Sequence, residues 1–196
     1  MQVCRLSATE IACQRGERML FDRLSLSLAA GEACQITGAN GIGKSSLIRI
    51  LAGLLPPSAG SLEVAGTIGL IDERPALDPQ LPLGRALAFW RRLDGAADNA
   101  ANRAAVRLGL ANLLDVPVRY LSTGQKKRAA FTRLIGQGAA IWLLDEPLNG
   151  LDKDAAALAQ SLASEHCASG GICLIASHQT FAVPGMKQIA LADFAP

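Results

Sequence analysis

The stretch from Gly38 to Ser45, GANGIGKS, constrains the fold of this chain more than any other feature. It fits the pattern G-x-x-x-x-G-K-[ST], and it lies between an apolar strand predicted at 33–37 and helical apolar spacing over 47–51. Glycines let the backbone curl so that successive N–H groups face an anion, and the helix N-terminus adds partial positive charge. The pattern predicts that Lys44 reaches the terminal phosphates of a nucleotide and that Ser45 offers its hydroxyl to Mg²⁺. The alternative is a glycine-rich turn that binds nothing.

Two further candidate site residues, Asp145 and Glu146, directly follow the apolar run AAIWLL. Open α/β sheets place ligands at the carboxyl ends of their strands. We therefore expect Asp145 to hold Mg²⁺ and Glu146 to orient the water that attacks the γ-phosphate. His178 follows another apolar run, ICLIAS, and can hydrogen-bond the same phosphate. The alternatives are acids that face solvent or cap a helix, and a histidine without a special role.

The spacing of apolar residues predicts an α/β chain. Alternation over residues 3–36, broken at 15–17, predicts an antiparallel hairpin. Further strands are expected at 61–65, 67–71, 139–144 and 172–177, and helices from 121 to about 136 and from 152 to 167. Because the later strands are continuously apolar and alternate with helices, they indicate a mostly parallel sheet covered on both faces.

The middle of the chain has a different character. From Leu83 to Leu114 it is rich in Ala, Leu and Arg at helical spacing, with a loop expected at 96–102. We interpret this segment as part of a helical subdomain at about 83–135. The whole chain, 1–196, is expected to form a single domain, because 196 residues suffice for one substantial core.

Charge, cysteine content and apolar runs bear on the partners and the location of the protein. A net charge of +2, without a long basic run, does not favour a nucleic-acid partner. Five cysteines without metal-binding spacing indicate reduced thiols in a reducing compartment. The N-terminus lacks the apolar core of a signal peptide, and no stretch approaches the roughly 20 apolar residues that span a bilayer. We therefore expect a cytoplasmic protein, or one peripheral at the inner side of a membrane.

The segment LSTGQKKR, Leu121 to Arg128, has two interpretations. Ser122 and Gln125 fit the capping box S-x-x-Q, in which each side chain satisfies a backbone N–H at the start of a helix. The same geometry presents a positive helix end to an anion, and three following cations strengthen it. Sequence spacing alone leaves both a cap and a phosphate contact open.

Taken together, GANGIGKS, LSTGQ, IWLLDEP, NGLD and the histidine of ASH resemble the nucleotide-binding domain of the ATP-binding cassette (ABC) family over essentially the whole chain. The resemblance implies a P-loop NTPase of the ABC type, with a mostly parallel sheet, an N-terminal antiparallel β part and a small helical subdomain. It implies an ATPase with ATP and Mg²⁺ as ligands. The phosphate-binding residues it implies are Gly38, Ala39, Asn40, Gly41, Ile42, Gly43, Lys44, Ser45 and Ser46.

The remaining roles are carried over in the same way. The resemblance implies that Asp145 and Ser45 hold Mg²⁺, that Glu146 positions the hydrolytic water and that His178 contacts the γ-phosphate. Ser122, Gly124 and Gln125 would contact ATP held by a second copy of the chain, and Asn149 to Asp152 would form the loop that crosses to that copy. A homodimer is therefore expected, with two nucleotides between the subunits.

The short chain also contains CQRGERMLF, QITGANGIGKSSLIRILAGLL, the pair Phe89 and Trp90, LSTGQKKR and WLLDEPLNGLD. In these stretches it is similar to the branch of the family that serves cytochrome c maturation. That similarity implies an ATP-binding subunit of a heme exporter, held peripherally at the cytoplasmic face of the inner membrane by a transmembrane ABC subunit of the maturation system. Another small ABC exporter and a soluble ABC ATPase are the alternatives. The chain has no CxxCH, so it is not expected to handle heme itself.

The chain departs from the usual pattern of the family at four positions in three segments. Arg15 stands where many members have an aromatic ring against adenine, and its guanidinium can also stack. Glu73 and Arg74 stand where a glutamine that couples the site to the membrane partner is expected, and Gln80 comes late for that role. Thr123 replaces the usual glycine after Ser122.

Overall fold

The computed structural model describes residues 4–95 and 98–195, except for the side chains of residues 98 and 99. The described chain divides into two compact units. The first contains residues up to Asp72, Ala140–Pro147 and Gln160 onwards, and the second contains Glu73–Ala139 and Leu148–Ala159. The strands are β1 Arg5–Arg15, β2 Arg18–Ala29, β3 Ala33–Thr37, β4 Ala59–Ala65, β5 Ile68–Ile71, β6 Ile141–Asp145, β7 Ile172–Ala176 and β8 Lys187–Ala190. The α-helices are α1 Lys44–Leu51, α2 Leu83–Leu93, α3 Asp98–Arg107, α4 Thr123–Gln137 and α5 Lys153–Ala168, and short 3-10 helices lie at Ala111–Leu113, Val118–Tyr120 and Leu191–Phe194.

In the first unit, β1 pairs antiparallel with both β2 and β4, in the order β2-β1-β4. The hairpin turns at Gly16 and Glu17, where the sequence predicts the break. Alternate leucines of β2, Leu24, Leu26 and Leu28, are buried while their neighbours are exposed, which is the period of two that a half-buried strand requires. The predicted antiparallel β part is confirmed.

The first unit also contains a five-stranded sheet in the order β5-β6-β7-β3-β8, and every neighbouring pair in it is parallel. All residues of β6 and β7 are buried, as expected for strands covered on both faces. The two sheets and α1 share one apolar core that includes Phe21, Ile36, Leu47, Leu143 and Leu174. Because parallel strands end at the same edge, the segments after β3, β6 and β7 emerge together. That edge holds the candidate site.

The second unit contains α2, α3 and α4, which begin and end within 83–137. Trp90 of α2 donates its indole N–H to the carbonyl of Ala76, and the Arg133 guanidinium of α4 lies 3.7 Å from the Trp90 ring centroid. The loop expected at 96–102 is wrong for residues 98–102, which begin α3, while 96 and 97 lie outside the described residues. Alanine has the highest helix propensity of all residues, and four alanines occur within α3. One domain with a helical subdomain at about 83–135 stays a prediction.

Three further observations concern strand β8, the cysteines and the helices. Strand β8 is missing from the sequence prediction because its four residues KQIA carry no clear apolar pattern and are exposed or half-buried. All five cysteines are free and buried, as the sequence predicts. Within the part of the chain that the structure describes, no helix has both the length and the apolar character needed to cross a membrane.

Candidate functional site

The loop between β3 and α1 depends on glycine for its shape. Gly38, Gly41 and Gly43 have φ values of 148°, 80° and 120°. A side chain at Gly43 would also place its Cβ 3.2 Å from the Cβ of Leu20 and 3.3 Å from the Phe21 ring. The loop therefore curls tightly over the β1–β2 sheet, in a conformation that other residues rarely adopt. Such a curl lets successive N–H groups face an anion.

Lys44 begins α1 and is 6% exposed, which is rare for a lysine. Its Nζ donates hydrogen bonds to the carbonyl oxygens of Gly38 (2.8 Å) and Ala39 (3.2 Å), and it lies 3.6 Å from Glu146 Oε1. A buried ammonium with three oxygen partners is held in one place. Lys44 therefore presents a fixed positive charge beside the loop.

The carboxylates at the end of β6 have different environments. Asp145 is the last residue of the strand and is 4% exposed. Glu146 follows with φ at 43°, a left-handed conformation that costs a non-glycine residue free energy, and its N–H donates to the carbonyl of Ala176 at 2.8 Å. Left-handed backbone in non-glycine residues is concentrated at functional sites. Because of this turn, the Glu146 side chain does not point where it would if β6 continued beyond Asp145.

The Glu146 carboxylate gathers donors from the segment after β7. Ser177 Oγ donates to Oε2 at 3.1 Å, the N–H of His178 donates to Oε1 at 3.3 Å, and His178 Nδ1 lies 2.9 Å from Oε2. Because a carboxylate only accepts, Nδ1 carries the proton of that bond. Burial raises the pKa of Glu146, but the hydrogen bonds from His178 and Ser177 and the charges of His178 and Lys44 outweigh it, so the pKa is lowered. Glu146 is therefore ionised at neutral pH, which suits a group that orients water.

The residues present fit a magnesium nucleotide. Mg²⁺ favours one or two carboxylates together with water and phosphate oxygens, rather than a cage of side chains. Asp145 offers a buried carboxylate at the sheet edge, and Ser45 offers an exposed hydroxyl in the first turn of α1. Among the described residues there is no cluster of three or more His, Cys, Asp or Glu that could hold a metal ion by itself. That donor set matches a metal shared with phosphates.

In the second unit, Ser122 caps α4 with both halves of a capping box. Its Oγ accepts from the N–H of Gln125 at 3.2 Å, and its own N–H donates to Gln125 Oε1 at 2.8 Å. Gly124 lies so close to the loop before α5 that an added Cβ would sit 2.7 Å from the carbonyl oxygen of Gly150. The capping box is confirmed, and the start of α4 is packed against the loop at 149–152.

Comparisons with known proteins agree with this geometry. The family model described as ABC transporter matches residues 21–149. A protein of Novosphingobium aromaticivorans named cytochrome c biogenesis ATP-binding export protein CcmA is 57% identical over 196 residues, which are 100% of both chains. The chain belongs to the ABC transporter family. A protein of the same name from Sphingopyxis alaskensis is 49% identical over 190 residues, covering 97% of this chain and 98% of its own.

A solved structure shows the same fold. The ABC subunit superimposes with a TM-score of 0.72 on cbiO1 of Clostridium perfringens, a part of the ABC transporter complex cbiONQ, with 25% identity over 89% of this chain and 78% of that one. ABC ATP-binding proteins bind and hydrolyse ATP and work with transmembrane subunits. The predicted fold class and the predicted ATPase activity are therefore confirmed for this ABC subunit, which is associated with a membrane as part of a transporter.

The structure brings together part of the predicted site. Lys44, Glu146 and His178 meet in the first unit, beside the loop that contains Gly38–Ser46. Ser122, Gly124 and Gln125 lie in the second unit. Of the departing positions, Arg15, Glu73 and Arg74 are exposed, and Gln80 accepts a hydrogen bond from Arg119.

Two polar residues of the site are absent from the sequence prediction. Ser177 donates to Glu146, and Gln35 on β3 holds the backbone of the segment after β7. Both are buried, at 0% and 2% exposure. The one available signal was a polar residue within an apolar run, which needs a hydrogen-bond partner when it is buried.

Proposed function

We propose that this ABC subunit hydrolyses ATP at a site completed by a second copy of the chain, and that hydrolysis drives the heme exporter of cytochrome c biogenesis. The observation that carries the hydrolytic part is the cluster at the sheet edge: Glu146 is ionised, is held by Ser177 and His178, and lies 3.6 Å from the buried Lys44. Identity of 57% over the full length to a cytochrome c biogenesis export protein supports the assignment within the family.

The residues divide the chemistry between them. The amides of Gly38–Ser46 and the ammonium of Lys44 bind the β- and γ-phosphates. Asp145 and the Ser45 hydroxyl hold Mg²⁺, which supplies positive charge where the phosphate oxygens gain negative charge. Glu146 accepts a hydrogen bond from the attacking water and aims it in line with the γ-phosphate. When nucleotide is bound, the Nδ1–H of His178, which donates to Glu146 in this structure, would turn to a γ-phosphate oxygen.

A second subunit supplies the remaining contacts in this proposal. The start of α4 presents N–H groups and the positive end of the helix, and its contact with Gly150 places the start of α4 and the loop 149–152 on one surface of the second unit. A ligand contact and a crossing loop on one surface are what a head-to-tail homodimer requires. The transmembrane partner of the maturation system then holds the dimer at the cytoplasmic face of the membrane. Neither nucleic acid nor heme binds this chain itself.

Purification from gently solubilised membranes tests this function. The tagged full chain is expected to bring down a transmembrane ABC subunit together with heme-handling proteins, in a complex that binds ATP. Cells that carry Glu146→Gln in place of the natural chain should assemble the same complex and lose their c-type cytochromes. Recovery with the membrane subunit of a different exporter, or with ribosomes, would contradict the assignment.

A further inference from the structure

Gln35 is an unusual residue for the centre of a buried strand. It lies in β3 three residues before Gly38, and every residue of the strand except Thr37 is buried. Gln35 itself is 2% exposed. An amide in such a place costs free energy unless both its donor and its acceptor find partners. The positions of those partners indicate what the residue does.

Among the described residues, the Gln35 side chain makes its hydrogen bonds with one segment, 177–181. Its Nε2 donates to the carbonyl oxygen of Gln179 at 2.7 Å and, more weakly, to that of Ser177 at 3.5 Å. Its Oε1 accepts from the N–H of Phe181 at 3.4 Å. The partners are backbone groups on both sides of His178. The side chain therefore holds the path of residues 177–181 rather than any one side chain in it.

Besides Gln35, the carbonyl oxygen of Ile36 accepts from the N–H of Ser177 at 3.2 Å, and Glu146 Oε1 accepts from the N–H of His178 at 3.3 Å. The His178 side chain is 46% exposed, whereas Phe181 is 1% exposed and anchors the far end of the segment. Ser177 Oγ accepts from the N–H of Gln179 at 3.0 Å and donates to Glu146. The exposed imidazole thus depends on the backbone beneath it for its position 2.9 Å from the Glu146 carboxylate.

We propose that Gln35 is a positioning residue for ATP hydrolysis. It lies on β3, the strand that leads into the loop Gly38–Ser45, called the phosphate loop from here on. From there it fixes segment 177–181, which holds His178 beside Glu146. The inference rests on the proposed roles of His178 and Glu146. Glutamine suits the task because one side chain provides a donor for the carbonyl of Gln179 and an acceptor for the N–H of Phe181. Methionine has a similar length and provides neither.

The first test compares Gln35→Met with Ile36→Val in the full-length subunit. Ile36 is the next residue of β3, is 0% exposed, and its replacement lowers stability without touching the amide contacts. We expect Gln35→Met to speed amide hydrogen exchange at 177–181 and to lower kcat about tenfold, with ATP affinity changed by less than about twofold. Ile36→Val should change neither exchange at 177–181 nor kcat.

A spectroscopic measurement separates positioning from loss of stability. The chain has two histidines, His166 and His178, so their ring signals can be assigned with one His166→Gln variant. Gln35→Met should move the ring signals of His178 and leave those of His166 in place. If amide hydrogen exchange at 177–181 is unchanged in Gln35→Met, or if the His178 signals do not move, the proposal that Gln35 holds this segment is wrong. Full hydrolysis by His178→Ala would instead overturn the role of His178 on which the inference rests.

Gln35→Glu provides a second variant in case methionine prevents folding. An ionised carboxylate accepts from Phe181 but cannot donate to Gln179, whereas a protonated one does both. Burial beside carbonyl oxygens raises the pKa of such a carboxyl, so the donor returns as the pH falls. The kcat of Gln35→Glu, relative to the natural chain, should rise as the pH is lowered from about 8 to about 6. A ratio that stays constant over this range would count against the proposal.

Discussion

Glu146 is the residue at which backbone strain, charge and hydrogen bonding meet. Its left-handed φ of 43° turns the side chain out of the strand, and three hydrogen-bonding contacts from Ser177 and His178 then hold the carboxylate. The same contacts lower its pKa, so the carboxylate stays ionised and can accept a hydrogen bond without taking up a proton at neutral pH. In the proposed hydrolysis, Glu146 would therefore orient the water, and the water would pass its proton to a phosphate oxygen.

Replacing Glu146 by glutamine should separate binding from turnover. Gln keeps the size and one acceptor oxygen but loses the charge that aligns water, so ATP affinity should stay within about threefold while steady hydrolysis falls at least about a hundredfold. Because ATP then persists, size-exclusion chromatography should show a nucleotide-bound dimer. Asp154→Asn, which removes a carboxylate in the first turn of α5, is the control and should hydrolyse normally. Normal turnover by Glu146→Gln would remove Glu146 from this role.

His166 gives a prediction for stability against pH. Its ring stacks on Trp142 at 4.1 Å, and Nε2 lies 3.2 Å from the carbonyl oxygen of Ala140. Burial lowers the pKa of His166, against the opposing effect of hydrogen bonds with Ala140 and Ile172. The unfolded chain then binds more protons between the folded pKa and the unfolded value of about 6.5, so the unfolding free energy falls as pH drops through that window.

Urea unfolding at several pH values from about 8 to about 5 checks this dependence. His166→Gln should unfold more easily at pH 8, because the stack is lost, yet lose less further stability on acidification. The pKa of Glu146 is lowered from a value near 4.5, so its contribution is lost only at more acidic pH. Equal pH slopes for the two proteins would show that His166 does not carry the effect.

Among individual residues, the sequence predicts the charged members of the candidate site and misses two buried polar ones, Ser177 and Gln35. Lys44, Asp145 and Glu146 stand in patterns whose spacing has a chemical reason, so the sequence alone is enough to find them. Ser177 and Gln35 act through backbone and side-chain atoms that are distant in sequence, 31 and up to 146 residues away. No local pattern contains such a contact.

The start of α4 is a helix cap, and in the proposed dimer it would have a second function. The capping box satisfies backbone donors of the helix in the isolated chain. The proposal gives the same helix end a phosphate on a second subunit. A cap affects the stability of each subunit, whereas a phosphate contact affects only hydrolysis in the dimer. A substitution that keeps the cap but destroys the phosphate contact can therefore distinguish the two roles.

Ser122→Ala and Ser122→Asp form such a pair. Alanine loses the cap, at a cost of about 1 kcal/mol, while aspartate caps as well as serine but brings a negative charge to the phosphate. We expect both variants to lose most ATP hydrolysis, with nucleotide affinity of the single subunit nearly unchanged. Thermal unfolding should show that only the alanine variant is destabilised. Restoration of hydrolysis by aspartate would indicate a cap alone.

Strands and helices with a clear apolar pattern can be predicted from the sequence. Those that form only because a neighbouring strand pairs with them cannot. Strands β6 and β7 are nearly continuous apolar runs, and β3 is apolar apart from Gln35 and Thr37. The sequence locates each of the three within two residues. Strand β8 is defined by its pairing with the neighbouring strand β3, in which Ile36 lies opposite Ile189. A tertiary contact of that kind has no signature in the four residues themselves.

For the whole molecule, the arrangement of two units matters because each carries one half of the proposed site. The phosphate loop, Glu146 and His178 belong to the first unit, and Ser122 with the loop at 149–152 belongs to the second. In a symmetric homodimer, one chain would then supply Lys44 and the other Ser122 to each ATP. Two variants that damage different halves should therefore complement each other when their subunits mix.

Lys44→Ala and Ser122→Asp make the appropriate pair. Lys44→Ala should weaken ATP binding at least about tenfold, because the phosphates lose their buried cation, and Ser122→Asp should bind ATP without hydrolysing it. Neither should be active alone. In a mixed dimer, one site combines Lys44 of the Ser122→Asp chain with Ser122 of the other chain, so it is intact, while the second site lacks both residues.

Random mixing makes half of the dimers mixed, and half of their sites are intact, so hydrolysis should return to about a quarter of the natural rate if the sites act independently. Differently tagged subunits, purified through both tags in sequence, isolate the mixed dimers and should double the recovered rate per dimer. Mixing Lys44→Ala with Glu146→Gln is the control: both damaged residues lie in the first unit, so every site keeps a defect. Doubly tagged Lys44→Ala and Ser122→Asp dimers without activity would contradict a site shared between subunits, since each would contain every residue that one site needs.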